Sequence, residues 1–122
     1  MLQLTLAVLW SILGLIHALP ALALVQPALI TRLYGVASGD TAFVLLQHRA
    51  ALFGAVVVLC VWAAFVPEVR RPAAIVTAIS MIGFLILYAA AGYPAGLRQI
   101  AIADLIGLPA LGLVGWHAFR SV

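Results

Sequence analysis

Long apolar runs, separated by short polar or turn-forming stretches, are the main pattern along this chain of 122 residues. A helix that crosses a bilayer needs roughly 20 apolar residues, because each residue advances the helix by about 1.5 Å. Four runs meet this requirement, at about residues 2–25, 42–66, 73–91 and 99–118. The pattern therefore predicts four membrane-spanning helices.

The connections between the runs carry proline, glycine and charged residues: VQPALITRLYGVASGD, PEVRRP and AGYPAGLR. Connections this short place successive helices side by side and antiparallel. We therefore expect an all-α integral membrane protein in which residues 1–122 form one transmembrane domain, an antiparallel four-helix bundle. In the first connection, a helix can start at Pro27, and Arg32 and Tyr34 can anchor it among lipid headgroups. This predicts a short interfacial helix between the first two spans.

The composition agrees with a surface that faces lipid. Hydrophobic residues make up 67% of the chain and charged residues 7%, whereas soluble domains carry roughly 25% charged residues. The net charge of +3 comes from arginines scattered between apolar runs, so we expect the lipid bilayer and not nucleic acid as the partner. The single cysteine, Cys60, cannot form an internal disulfide, which excludes a dithiol carrier.

The distribution of arginines predicts the orientation of the bundle. Arg70, Arg71 and Arg120 fall on the side of the chain termini, and Arg32 and Arg98 fall on the other side. The positive-inside rule then favours a multi-pass protein of the inner (plasma) membrane with cytoplasmic termini. The first run is longer than the apolar core of a signal peptide, about 7–15 residues, and no positive segment precedes it, so we expect it to be retained as a span.

Polar residues recur at one depth of the four runs. His17, His48, Tyr88 and Asp104 each lie a few residues inside the face opposite the termini, and Arg49 follows His48. A charged residue at a helix centre costs about 2.5–3.5 kcal/mol, so such residues usually face the bundle interior and find partners. These five residues are therefore the candidate ligand-binding residues of a polar pocket. We expect Arg49 and Asp104 to form an ion pair within it.

Two prolines lie close to this polar layer. Pro20 and Pro109 remove the helical hydrogen bonds to the carbonyls of Ile16 and Leu105. Freed carbonyls at membrane depth are tolerated where they line a cavity or are bonded by neighbours, which supports a pocket. A purely structural interpretation stays open, in which Arg49 extends to the headgroups and a histidine bonds a freed carbonyl.

Three short motifs, LYGV at 33–36, QHRAALFG at 47–54 and AD at 103–104, resemble a family of small four-span bacterial membrane proteins. That family has no established function. The resemblance therefore implies the four-span fold and leaves the activity open.

Several functions fit such a pocket. The first is a binding or accessory protein that holds a small amphipathic ligand (a quinone, an isoprenoid or a lipid head), or that docks to a larger membrane complex or to copies of itself. The second is an enzyme that performs isomerase-type chemistry on a lipidic substrate, with His17 or His48 as base, although no residue is assigned a catalytic role. The third is a b-type cytochrome with haem between those two histidines. The fourth is a proton-coupled transporter subunit that uses Asp104. No metal site is expected, and no haem by default.

Overall fold

The computed structural model describes residues 1–120. These residues form five α-helices: α1 Leu2–Leu22, α2 Ala28–Tyr34, α3 Thr41–Phe65, α4 Arg70–Ala90 and α5 Arg98–Arg120. Short 3-10 turns at Pro67–Val69 and Ala95–Leu97 lead into α4 and α5. All the helices except α2 are long and apolar enough to cross a membrane, which confirms the predicted four-span helical bundle.

The four long helices close into a ring in which α1 packs against α3 and α5, and α4 packs against α5 and α3. Three hydrogen bonds fix their directions. Arg70 Nε donates to the carbonyl of Ala63 and Arg70 Nη1 donates to Gln3 Oε1, both at 2.9 Å, and Arg71 Nε donates to the carbonyl of Ala118 at 3.0 Å. The starts of α1 and α4 therefore meet the ends of α3 and α5 at one end of the bundle, here called the arginine end. The helices are antiparallel, as predicted.

The main core fills the ring from its centre towards the arginine end. Its fully buried side chains include Trp10, Leu13, Cys60, Met81 and Val114. Gly107 of α5 lies against this core, and a Cβ there would stand 2.6 Å from Ile16 Cδ1 and 2.7 Å from Met81 Cε. The absence of a side chain thus lets α5 approach α1 and α4 closely.

The opposite end of the bundle is covered by α2. Ile30 of this helix is fully buried against a second core cluster formed with Ala23, Phe43 and Ala50. The helix ends at Gly35, whose φ of +69° is a left-handed conformation that favours glycine. Asp40 then caps α3, because its carboxylate accepts a hydrogen bond from the backbone N–H of Ala42 at 2.9 Å. The predicted short helix between the first two spans is thus present.

Two span boundaries differ from those predicted by the apolar runs. The last turn of α1 contains Pro20, and the helix ends at Leu22 instead of near residue 25. In contrast, α4 begins at Arg70 instead of near residue 73. Pro72 does not delay its start, because the first N–H groups of a helix have no intrahelical acceptor to lose.

Candidate functional site

The structure brings four of the five predicted site residues to the bundle interior or to the contact between helices. His17 and Asp104 are buried, with 2% and 7% exposure, and Arg49 and Tyr88 are partly buried. His48 is exposed. Successive residues of a helix point about 100° apart, so the inward position of Arg49 turns His48 away. The prediction that His48 contributes to the pocket is therefore not supported by its position.

The Arg49 guanidinium is surrounded by three aromatic rings from three helices. Its central carbon lies 4.8 Å from the ring centre of Phe53 on α3, 5.5 Å from that of Phe84 on α4 and 5.8 Å from that of Tyr34 on α2. A guanidinium within about 6 Å of a ring is attracted by the negative charge of the ring face. Burial raises the pKa of the Tyr34 hydroxyl and the nearby Arg49 charge opposes that rise, so the hydroxyl keeps its proton at neutral pH.

No protein group uses the hydrogen-bond donors of Arg49 within residues 1–120. The expected ion pair with Asp104 is not formed there: the two groups interact electrostatically, but they lie beyond the 4.0 Å of an ion pair. The guanidinium lies among the rings of Phe53, Phe84 and Tyr34, whereas Asp104 lies on α5, which carries none of these rings. Five N–H donors of the guanidinium thus remain available.

His17 connects α1 to α4 through its two ring nitrogens. Nδ1 lies 2.9 Å from the carbonyl oxygen of Leu13, and Nε2 lies 3.1 Å from Ser80 Oγ. A carbonyl oxygen only accepts, so Nδ1 carries the proton and the neutral ring accepts the Ser80 hydroxyl at Nε2. The carbonyl is that of Leu13, one turn earlier on α1, and not the carbonyl of Ile16 that Pro20 frees.

A small cavity of about 90 Å³, here called the inner chamber, lies towards the end of the bundle that is opposite the arginine end. Its polar lining groups are His17, Gln99 and Asp104, and its walls include Phe53 and Phe84. Within residues 1–120, no group donates a hydrogen bond to the Asp104 carboxylate. The chamber therefore holds a carboxyl group that accepts no hydrogen bond from these residues and whose oxygens are not among the fully buried atoms.

A larger apolar cavity of about 810 Å³, here called the lateral groove, opens between α3 and α4. These two helices pack against each other less extensively than the other neighbours in the ring. Arg49, Ser80 and Tyr88 are the polar residues of its lining, and Phe53 and Phe84 line it as well. Because those two rings line both cavities, the inner chamber and the lateral groove adjoin at Phe53 and Phe84.

Aromatic contacts continue along α4 towards the end of the groove. The rings of Phe84 and Tyr88 stack at 6.0 Å, and Tyr93 meets Tyr88 edge-on at 5.5 Å. The predicted site residue Tyr88 thus belongs to the groove and not to the inner chamber. The sequence analysis did not include Phe53 and Phe84 among the site residues. Phe53 lies four positions after Arg49, and Phe84 lies four positions before Tyr88, which is the spacing of side chains that meet on a helix.

A third cavity, of about 500 Å³, lies at the arginine end between Gln3, Glu68, Arg70, Arg71 and His117. Arg70 and Arg71 both donate to helix-terminal groups, so they close the ring of helices. This cavity therefore has a structural explanation, and the inner chamber with the lateral groove is the candidate functional site.

The site does not fit the predicted alternative of a bis-histidine haem protein. Both ring nitrogens of His17 are engaged within the protein, and His48 is exposed instead of facing it. Among residues 1–120, no three His, Cys, Asp or Glu side chains come together in a way that would hold a metal ion.

Comparisons with protein-family models, with curated proteins and with solved structures found no match for this chain. The resemblance carried by the LYGV, QHRAALFG and AD motifs stays a prediction. The function is therefore inferred from the geometry of the site.

Proposed function

We propose that this protein binds an amphipathic molecule of the membrane, with the negatively charged head against Arg49 and the apolar chain along the lateral groove. One observation carries the proposal: a guanidinium held by three rings leaves its donors unused beside an apolar groove. A partly buried guanidinium loses part of its hydration, which costs free energy. A phosphate or carboxylate accepts two parallel hydrogen bonds from a guanidinium and would remove that cost.

The shape of the groove supports an elongated apolar ligand. Binding sites for small molecules commonly have volumes of about 300–1,000 Å³, mostly apolar walls and a few polar groups that orient the ligand. The lateral groove, of about 810 Å³, has these properties. Among quinones, isoprenoids and lipids, a phosphate-bearing head uses the guanidinium best, because a quinone carbonyl is a neutral acceptor and hydrogen bonds between charged groups are stronger.

The proposed setting is the inner membrane with cytoplasmic termini, as the arginine distribution favours. The arginine end then faces the cytoplasm, and the site opens in the outer half of the bilayer. Docking to a larger complex or to a second copy of the chain remains compatible with this ligand, since α5 does not line the groove.

The test compares lipid retention by variants purified in mild detergent. Native mass spectrometry of the wild type is expected to show a retained phosphate-bearing lipid. Arg49→Gln should lose it and Arg49→Lys should keep part of it, because lysine preserves the charge and not the planar fork. Arg98→Gln is the matched control, since Arg98 is exposed at the start of α5. Equal retention by Arg49→Gln and the wild type would refute the proposal.

A second candidate, an enzyme that acts on a lipidic substrate, is favoured by one contact. The Ser80 hydroxyl lines the groove and donates to His17 Nε2, and Leu13 holds the ring from its other side. This arrangement lets a histidine take the proton of a serine nucleophile. Asp104 has no hydrogen bond to His17, because both ring nitrogens bond to other residues. Labelling of wild type, but not of Ser80→Ala, by a fluorophosphonate would support this candidate, and no labelling would leave the binding function alone.

A further inference from the structure

The Asp104 carboxyl in the inner chamber accepts no hydrogen bond from residues 1–120. This side chain is 7% exposed and lines the chamber, yet no N–H or O–H group within residues 1–120 donates to it. His17 does not fill the role, because both of its ring nitrogens are engaged elsewhere. A carboxyl group on a buried residue loses part of its hydration, so a ligand group that donates hydrogen bonds would be stabilised there.

The Asp104 carboxyl and the Arg49 guanidinium line adjoining cavities, and neither forms a hydrogen bond within residues 1–120. Arg49 and Asp104 interact electrostatically but are farther apart than the 4.0 Å of an ion pair. They face two cavities that share the rings of Phe53 and Phe84 as walls. A molecule with a negative and a positive group on a short spacer would therefore satisfy both residues at once.

We infer that the ligand is a zwitterionic amphiphile whose phosphate lies against Arg49 and whose primary ammonium group enters the inner chamber against Asp104. This inference rests on the proposed function and names its ligand class, a lipid with a phosphoethanolamine-type head. The two-carbon spacer of that head joins the groove to the chamber past Phe53 and Phe84. The apolar chains remain in the lateral groove.

The chemistry of the chamber discriminates between headgroups. A primary ammonium offers three N–H donors, whereas the quaternary ammonium of choline offers none. The three methyl groups of choline also make it bulkier, and the chamber has a volume of only about 90 Å³. A glycerol head has no positive charge for Asp104. A serine head adds a carboxylate, which would meet the carboxylate of Asp104 and be repelled.

The experiment measures headgroup preference by native mass spectrometry of delipidated protein titrated with lipids of identical acyl chains. The heads are phosphoethanolamine, phosphocholine and phosphoglycerol, and soluble glycerophosphoethanolamine is added as a competitor. The wild type should prefer the ethanolamine lipid by about tenfold, as expected for charge-assisted hydrogen bonds. Asp104→Asn should lose this preference while still binding phospholipids through Arg49. Glu68→Gln, which removes an exposed acid at the arginine end, is the matched control.

The outcomes separate this inference from the proposed function. Equal binding of all three heads by the wild type, or an unchanged preference in Asp104→Asn, would overturn the zwitterionic ligand and leave Arg49-dependent lipid binding intact. If the wild type binds no phospholipid, or if Arg49→Gln binds as much as the wild type, both the proposed function and the zwitterionic ligand are overturned. If glycerophosphoethanolamine displaces the lipid at similar concentrations, a free polar molecule and not a membrane lipid is the ligand.

Discussion

At the residue scale, the neighbouring side chains of His48 and Arg49 lie in different environments. Arg49 sits among Phe53, Phe84 and Tyr34, whereas His48 is exposed on another side of α3. A fixed charge at this depth is tolerated because the ring faces replace part of its hydration. The arginine therefore does not need the Asp104 carboxylate as a direct partner, and both charges stay available.

An unpartnered buried carboxyl should lower the stability of the protein. We expect Asp104→Leu to raise the free energy of unfolding by about 1–3 kcal/mol, because it removes an unsatisfied polar group and adds apolar volume to the chamber. Denaturation in mixed detergent micelles measures this change. Glu68→Gln should stay within about 0.5 kcal/mol of wild type. A large loss of stability in Asp104→Leu would mean that the carboxyl has a structural partner.

The two histidines of the predicted layer should respond differently to truncation. His17→Ala removes the link from Leu13 to Ser80 and leaves a cavity, so we expect a loss of about 2 kcal/mol or more in unfolding free energy. His48→Ala should change it by less than about 0.5 kcal/mol, since the side chain is exposed. The same micelle titration compares them, and equal effects would contradict the different environments described here.

At the element scale, small residues decide how closely the helices pack. Gly107 of α5 faces side-chain ends of α1 and α4, whereas a Cβ on Gly112 of the same helix would meet nothing within 4 Å. Gly14 of α1 is intermediate, because its Cβ would be 3.5 Å from Cys60 Cβ. Only some glycines of the chain are thus required by packing. Pro20 lies within α1 and Pro109 lies within α5, so neither proline ends the helix that contains it.

Gly107 and Gly112 of α5 give a matched pair of substitutions. Gly112→Ala should stabilise by about 0.5–1 kcal/mol through helix propensity. Gly107→Ala should lose most or all of that gain, because the flexible ends of Ile16 and Met81 must move to admit a methyl group. The melting temperature in detergent should therefore be lower for Gly107→Ala than for Gly112→Ala. An equal gain of stability in both variants would show that the approach of α5 to α1 and α4 is looser than described.

At the scale of the whole molecule, the two ends of the bundle differ in construction. Arg70 and Arg71 bind helix-terminal groups and close the ring at one end. Towards the other end, the lateral groove separates α3 from α4 beside the aromatic rings. We therefore expect the groove to be the part of the bundle that adapts to a ligand, with the arginine end as its fixed base.

The antiparallel ring makes a prediction about sidedness in the membrane. Reporter fusions at Arg71 and at Val122, which lies outside the described residues, should report the cytoplasm, and a fusion at Ser38 should report the opposite compartment. The reason is the arginine excess on the side of the termini. Opposite compartments for positions 71 and 122 would contradict four spans, and the same compartment for 38 and 71 would contradict a crossing by α3.

By itself, the sequence determined the helical fold and the approximate depth of the polar residues. Apolar length predicts the spans because lipid cannot hydrogen-bond to the backbone, so each crossing segment must be a helix. Counting along those helices then placed His17, Tyr88, Arg49 and Asp104 near one end. Depth along a helix is a local property, and the sequence carries it.

The tertiary structure alone decided which side chains meet. Contacts between helices depend on the rotation of each helix about its axis, and in an almost uniformly apolar chain the hydrophobic pattern does not mark one inward face. For this reason the rings that reach Arg49 from α2 and α4, the bond from His17 to Ser80 and the missing partner of Asp104 were not predictable from spacing. A rotation of about 100° separates His48 from Arg49, and only the packing of α3 on its neighbours settles which of the two faces the site.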